Sequence, residues 1–216
     1  VGILGENGIG KTTFVRILAE DIKSDKGKIK GKVKVSYKPQ YLTVSKKIVA
    51  EVLKEAIKKY DVELIRPLNL KQLFDRKIDE LSGGELQKVA IALCLSKKAD
   101  MYLLDEPSAY LDVEQRLHVA RMIKDIMEKR GSSALVVDHD ILFIDYLSNN
   151  LLVFQGEPAV NGGVNGTFSM EDGMNIFLKG LNISLRRDKE SSRPRINKLD
   201  SVLDREQKSK NKLYYG

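Results

Sequence analysis

The sequence is poor in cysteine, and that excludes whole classes of fold. One thiol, Cys94, in 216 residues leaves no disulfide framework and no cysteine-based zinc site. It stands in an apolar helical run, residues 89–93, where a small buried side chain is expected in place of a reactive thiol. Long hydrophobic runs are also missing. Nothing approaches the roughly 20 apolar residues of a membrane-spanning helix, and no charged-then-apolar leader ends in a small-residue cleavage site. Direct membrane insertion is therefore not expected. There is no internal repeat and no low-complexity tract.

What is present suits one globular domain with a sizeable core, or one domain plus a small appendage, since 42% of the residues are hydrophobic. The net charge of +7 is uneven: residues 179–216 hold 11 Lys or Arg against 5 Asp or Glu, leaving the rest nearly neutral. The body is thus almost uncharged and the tail basic.

Apolar patterning alternates strands with helices. Residues 1–4 read as a short buried strand, so the sequence is expected to open inside a domain. A helix is predicted from Thr12 to about Asp21, a strand from Lys32 to Lys38, and mostly helix over 45–76, with apolar positions at Ile48, Val52, Leu53, Ala56, Ile57, Leu70, Leu73 and Phe74. A further helix runs over 85–97. The continuous apolar run 101–104 marks a central parallel strand. A helix over 113–129 stops at Gly131, where positive φ is wanted, and buried strands follow at 133–137 and 151–154. This order implies crossover connections and a mainly parallel sheet covered on both faces. From about Asn165 the pattern weakens, and from Arg186 charged residues dominate.

Three motifs carry chemistry. Gly5-Glu6-Asn7-Gly8-Ile9-Gly10-Lys11-Thr12-Thr13 matches the phosphate-binding pattern of glycine, four free positions, then Gly-Lys-Thr, between a strand and a helix. Glycines turn backbone amides inward, Lys11 reaches the β and γ phosphates, and Thr12 ligates Mg²⁺. Asn7, Gly8, Gly10, Lys11, Thr12 and Thr13 are the candidate nucleotide-binding residues. Asp105-Glu106 ends the strand at 101–104, where ligands bind in open α/β sheets. Successive strand residues face opposite sides, so Asp105 can orient hydrated Mg²⁺ while Glu106 polarises the attacking water. Leu81-Ser82-Gly83-Gly84-Glu85 puts a serine and two glycine amides at a helix N-terminus, an anion site. Taken singly these also read as a Gly-rich turn, two solvated acids and a Ser N-cap; their order along the chain sets those readings aside. His118 lies mid-helix with no partner motif and is read as surface.

The ordered set resembles an ABC cassette. Gln40, in Lys38-Pro39-Gln40-Tyr41, is similar to the Q-loop glutamine on Mg²⁺ and the attacking water. Ser108-Ala109-Tyr110-Leu111-Asp112 resembles the D-loop that couples paired sites, and His139 the switch histidine on the γ-phosphate. Glu106, His139 and Gln40 are thus the candidate catalytic residues, and Thr12, Gln40 and Asp105 the candidate metal site. Ser82 and Gly84 would face the γ-phosphate of a partner cassette. The tail, with Arg186-Arg187-Asp188, Arg193-Pro194-Arg195-Ile196-Asn197-Lys198 and Tyr214-Tyr215, resembles the C-terminal hinge of the ribosome-recycling RNase L inhibitor family, as do residues 35–40 and 105–112.

The resemblance implies an α/β P-loop NTPase of ABC type, with a mainly parallel sheet flanked by helices and a helical signature subdomain. Residues 1–165 would form the second nucleotide-binding domain, 41–84 its helical subdomain, and 166–216 the hinge. It implies ATP/ADP and Mg²⁺ as ligands, a cytoplasmic location, and as partners a companion cassette, the ribosome and its RNA, and translation termination factors. In that family two cassettes lie head to tail behind an iron-sulfur domain; this sequence holds one cassette and no cluster motif. The basic tail can be read as a solvated extension, as a contact to ribosomal RNA, or as packing against the companion cassette, which the resemblance favours. A transporter subunit and a regulatory nucleotide- or RNA-binding module are the rival readings of the whole.

Overall fold

In chain order the computed structural model builds β1 (Gly2–Leu4), α1 (Lys11–Leu18), β2 (Val35–Lys38), α2 (Val49–Val52), α3 (Lys54–Lys59), α4 (Gly83–Ser96), β3 (Met101–Asp105), α5 (Val113–Arg130), β4 (Ser133–Val137), α6 (Ile141–Leu147), β5 (Asn150–Glu157), β6 (Asn161–Val164), β7 (Phe168–Ser169), α7 (Met170–Gly180), β8 (Leu185–Arg187), β9 (Pro194–Ile196) and α8 (Val202–Ser209). It describes residues 1–216 except 28, 32, 41, 42, 44, 165, 189–193 and 216. Lys32, Tyr41, Asn165 and Arg193, used above, lie outside the described residues. Among the described residues no helix is long and apolar enough to cross a membrane.

Two compact units emerge, one of Val1 and Lys11–Leu147, the other of Gly2–Gly10 and Ser148–Gly216. In the first, β3 is central: β2 pairs with it in parallel from Val35↔Met101 to Lys38↔Leu104, and β4 from Met101↔Ser133 to Asp105↔Val137. The apolar run Tyr102, Leu103 and Leu104 is buried, as a strand flanked on both edges requires. Helix α4 packs on β2 and β3, and α1 on β3. Helix α5 starts under the Asp112 cap, whose side chain accepts from Gln115 N at 2.8 Å, and ends at Gly131 with φ +58°.

Two expected helices come out differently. Helix α1 stops at Leu18, three residues short, because Glu20 takes φ +58° and the Arg16 side chain folds onto Asp21 at 2.7 Å. Residues 45–76 are broken into α2, α3, a π turn at Asp61–Ile65 and a 3₁₀ turn at Lys71–Leu73. Asn69 at φ +53° interrupts the helical path, and the amides of Val49 and Ala50 bond the carbonyls of Arg76 and Phe74. Leu53, Ala56, Leu70 and Leu73 are nonetheless buried.

Cys94 is buried and its Sγ lies 3.4 Å from Ser36 Oγ, which donates to the Cys94 carbonyl at 2.8 Å. Burial pushes the thiol from 9.0 up to about 11. Its thiolate therefore forms readily only after unfolding, so this group removes stability as pH rises from about 9 towards 11. At pH 8 an aromatic disulfide reagent should leave Cys94 unmodified in the native chain and titrate one thiol in denaturant; fast native labelling would contradict the buried placement.

In the second unit β1 pairs in parallel with β5, from Gly2↔Leu151 to Leu4↔Val153, and β6 and β7 add to β5 antiparallel. Helix α7 lies on β5, and a Cβ added at Gly173 would come within 2.8 Å of Leu151 Cβ. The described residues of the basic tail are folded. A β8–β9 hairpin and α8 enclose a buried polar network: Ser184 Oγ donates to Asp204 Oδ1 at 2.5 Å, Asn197 Nδ2 to Ser184 Oγ at 2.9 Å and to Gln207 Oε1, and Gln207 Nε2 to the Leu185 carbonyl at 3.0 Å. Asn175 Oδ1 on α7 accepts from Leu213 N and Tyr214 N at 2.7 and 3.1 Å.

Candidate functional site

The first unit gathers its buried charge where β3 ends. Asp105 is fully buried; Thr12 Oγ1 donates to its Oδ1 at 3.3 Å, while its buried Oδ2 has no hydrogen-bond partner. Burial pushes this carboxyl up, the Thr12 bond pulls it down, and the Glu106 charge raises it again. Lys11, 6% exposed at the start of α1, is lowered by burial and raised in turn by Glu106 and Asp105. A buried cation and a buried carboxylate with one unpartnered oxygen favour a ligand that brings both negative charge and a hard cation. Thr12 and the orphaned Asp105 oxygen are oxygen donors of the kind magnesium takes. Among the described residues no group of three or more His, Cys, Asp or Glu forms a self-contained metal site.

At Glu106 the backbone leaves the strand with φ +48°, a conformation costing a non-glycine residue about 1–3 kcal/mol. Its amide donates to the Val137 carbonyl at 2.8 Å, and its own carbonyl accepts from Lys38 Nζ at 3.2 Å and from Gln87 Nε2 at 2.5 Å. The turn aims the carboxylate between Gln40, whose Nε2 donates to Oε1 at 2.8 Å, and His139, whose Nε2 stands 3.0 Å from the same oxygen. The candidates Gln40, Glu106 and His139 thus converge, next to Thr12 and Asp105.

The loop bearing His139 is fixed by its neighbour. Asp138, 3% exposed, accepts from Ser108 N at 3.0 Å, Ser108 Oγ at 2.7 Å and Asp140 N at 2.9 Å. Burial pushes the Asp138 carboxyl up and these bonds hold it down. Asp140 pairs with Arg116 at 2.7 Å.

Ser82 caps α4 in a capping box: its amide and hydroxyl each donate to Glu85 Oε2 at 2.8 Å, and its oxygen accepts from Glu85 N at 3.4 Å. Gly83 and Gly84 lie against Tyr110, so segments 82–84 and 108–112 touch. A Cβ on Gly84 would stand 2.8 Å from the Tyr110 carbonyl oxygen. Gly84→Ala should therefore lower stability by about 1–3 kcal/mol, read as a shift in urea midpoint; an unchanged midpoint would contradict the close approach. Ser82 and Gly84 make these contacts outside the Thr12–Asp105–Glu106 cluster.

In the second unit Asn7 and Gly8 are exposed, and Gly8 and Gly10 take φ +77° and +102°. No atom lies within 4 Å of a Cβ built at Gly10, so glycine is required there by conformation and not by space. Thr13 is exposed on α1. His118 is exposed, as read from the sequence.

Sequence reasoning passed over Lys38, Gln87 and Asp138. Lys38, 1% exposed, donates to the Asp105 carbonyl at 2.6 Å, and burial lowers its ammonium to about 8. Its signal was a lysine on an inward strand position. Gln87's was a polar residue on the buried α4 stripe with Ile91 and Leu95, one and two turns on.

The ABC transporter family model matches residues 1–109. An uncharacterized ABC transporter ATP-binding protein of Methanocaldococcus jannaschii is 52% identical over 100% of this chain and 37% of its own length. Translation initiation factor RLI1 of Saccharomyces cerevisiae is 41% identical over 99% of this chain and 36% of its own. The archaeal ribosome recycling factor aABCE1, solved with the ribosomal stalk protein aP1, superposes with a TM-score of 0.93 at 51% identity, over 100% of this chain and 43% of that one. The chain belongs to the RNase L inhibitor family of ABC ATPases. It spans little more than a third of these two curated relatives. The fold is that of an ABC P-loop NTPase, with mainly parallel strands flanked by helices, and members of this ABC family bind ATP or ADP.

Proposed function

We propose that this chain is an ATP-hydrolysing cassette working as a nucleotide-driven switch in ribosome recycling in the cytoplasm. The observation that carries the chemistry is the Glu106 carboxylate held between Gln40 and His139 beside buried Asp105. In this reading Asn7, Gly8, Gly10, Lys11, Thr12 and Thr13 grip the triphosphate. Glu106 takes a proton from the attacking water, Gln40 orients that water, and His139 donates to the γ-phosphate. Thr12 and Asp105, with Gln40, would hold Mg²⁺, which when bound neutralises charge building on the transferred phosphoryl group.

Ser82 and Gly84, at the start of α4, serve the nucleotide of a companion cassette, so fast hydrolysis requires two cassettes head to tail. Residues 41–84 act as the helical signature subdomain and 166–216 as the hinge. An isolated chain is expected to bind MgATP and hydrolyse it slowly; fast turnover by a demonstrably monomeric sample would count against the two-site arrangement.

Likeness to RLI1 and to aABCE1 supports the ribosome, its RNA and stalk, translation termination factors and the companion cassette as partners, ahead of a membrane transporter. A switch must bind its target in a nucleotide-dependent way. Titrating ribosomal subunits with and without a non-hydrolysable ATP analogue should show tighter binding with the analogue; equal affinity in both arms would remove the ribosome-switch reading.

A further inference from the structure

The geometry points to Gln87 as a positioning residue that ties the signature helix to the general base of its own cassette. The inference rests on the role proposed for Glu106. Gln87 lies on the first turns of α4, 1% exposed, three residues after Gly84, and its Nε2 donates to the Glu106 carbonyl. The same helix start meets the chain again four residues later. A Cβ on Gly83 would lie 3.0 Å from the Tyr110 ring, and one on Gly84 2.8 Å from the Tyr110 carbonyl oxygen. Segment 106–110 is therefore held at both ends by one turn and a half of α4, at Glu106 by Gln87 and at Tyr110 by the two glycines.

Both ends are also the positions in this stretch with left-handed backbone, Glu106 at φ +48° and Tyr110 at φ +61°. Such conformations persist only where surrounding contacts over-determine them. The Glu106 carbonyl has two side-chain donors, Lys38 from β2 and Gln87 from α4. Lys38 anchors it to the strand layer. Gln87 makes its direction depend on where the signature helix sits. Displacement of α4 when Ser82 and Gly84 take up a nucleotide would pull on the carbonyl of the residue whose carboxylate Gln40 and His139 hold. One helix thus couples occupancy of one site to alignment of the base in the other.

The test is a kinetic cycle in the protein carrying these residues, with Gln87→Met, which keeps shape and removes the donor, and Gln87→Glu, which replaces the donor with an acceptor. Each is combined with Glu106→Gln, and MgATP binding stoichiometry serves as the measure of folded protein. The linkage predicts that both Gln87 variants lose about 10- to 100-fold in kcat, with KM for ATP and stoichiometry unchanged, and lose nothing further in the Glu106→Gln background. A kcat within twofold of wild type, or a loss that multiplies with that of Glu106→Gln, overturns it. If Glu106→Gln alone turns over at the wild-type rate, the assignment of the base fails as well, and that arm distinguishes the two failures.

Discussion

Replacing Glu106 by Gln should lower ATP turnover by about 10²- to 10⁴-fold while leaving MgATP bound. The amide keeps the size of the carboxylate and can still meet Gln40 and His139, so the pocket stays intact; what disappears is a group able to accept a proton. Because the Glu106 backbone is fixed by Val137, Lys38 and Gln87, the substitution has no reason to move the loop. The variant should accumulate nucleotide without releasing product, seen as retained radiolabelled ATP on rapid filtration. Steady-state hydrolysis at the wild-type rate would show that another group is the base.

Asp105→Asn should separate stability from function. The carboxyl is fully buried, with one oxygen bonded to Thr12 and the other without a partner, and burial holds it above the usual carboxylate range. For an acid raised in the folded state, the unfolded chain ionises first, so ionisation withdraws stability as pH climbs above the ordinary value of 3.8. The amide carries no such cost. The ligand-free variant should therefore unfold at or above the wild-type midpoint at pH 7, and the difference should vanish below about pH 4. Its magnesium-dependent gain in ATP affinity should fall by about 10- to 100-fold, as expected where a group orienting a metal ligand is removed. A variant that unfolds earlier yet keeps that gain would make Asp105 a structural residue only. The buried position is costly to the empty protein and is occupied by a charge nonetheless, which is the pattern of a site shaped for a ligand.

The parts legible from the sequence are those where local chemistry and tertiary context agree. The run 101–104 could only be a central strand, Gly131 could only stop α5, and Gly-Lys-Thr after a short apolar run dictated loop then helix. Residues 45–76 were less legible because their apolar positions serve a core without sharing one helical face; the break at Asn69 depends on bonds from Val49 and Ala50 to residues more than 20 positions away. The tail hid its fold for a different reason. Its interior is built from Ser184, Asn197, Asp204 and Gln207, residues that pattern reading assigns to solvent, and only their mutual bonds make burial tolerable.

At the site, the side chains that touch substrate in such motifs stood out by spacing. Those that aim them did not: Lys38 and Gln87 act on backbone carbonyls, and a carbonyl leaves no mark in the sequence. The contact of Tyr110 with Gly83 and Gly84 is of the same kind, since it joins segments 26 residues apart through a left-handed turn.

The central proposal is that Lys11, at the start of α1, and the pair Asp105–Glu106 serve one MgATP site. Calorimetric titration of ATP with and without magnesium tests it most directly. The account predicts saturable ATP uptake that tightens when magnesium is present and is abolished in Lys11→Ala; a flat trace with magnesium, or equal affinity without it, would contradict the account.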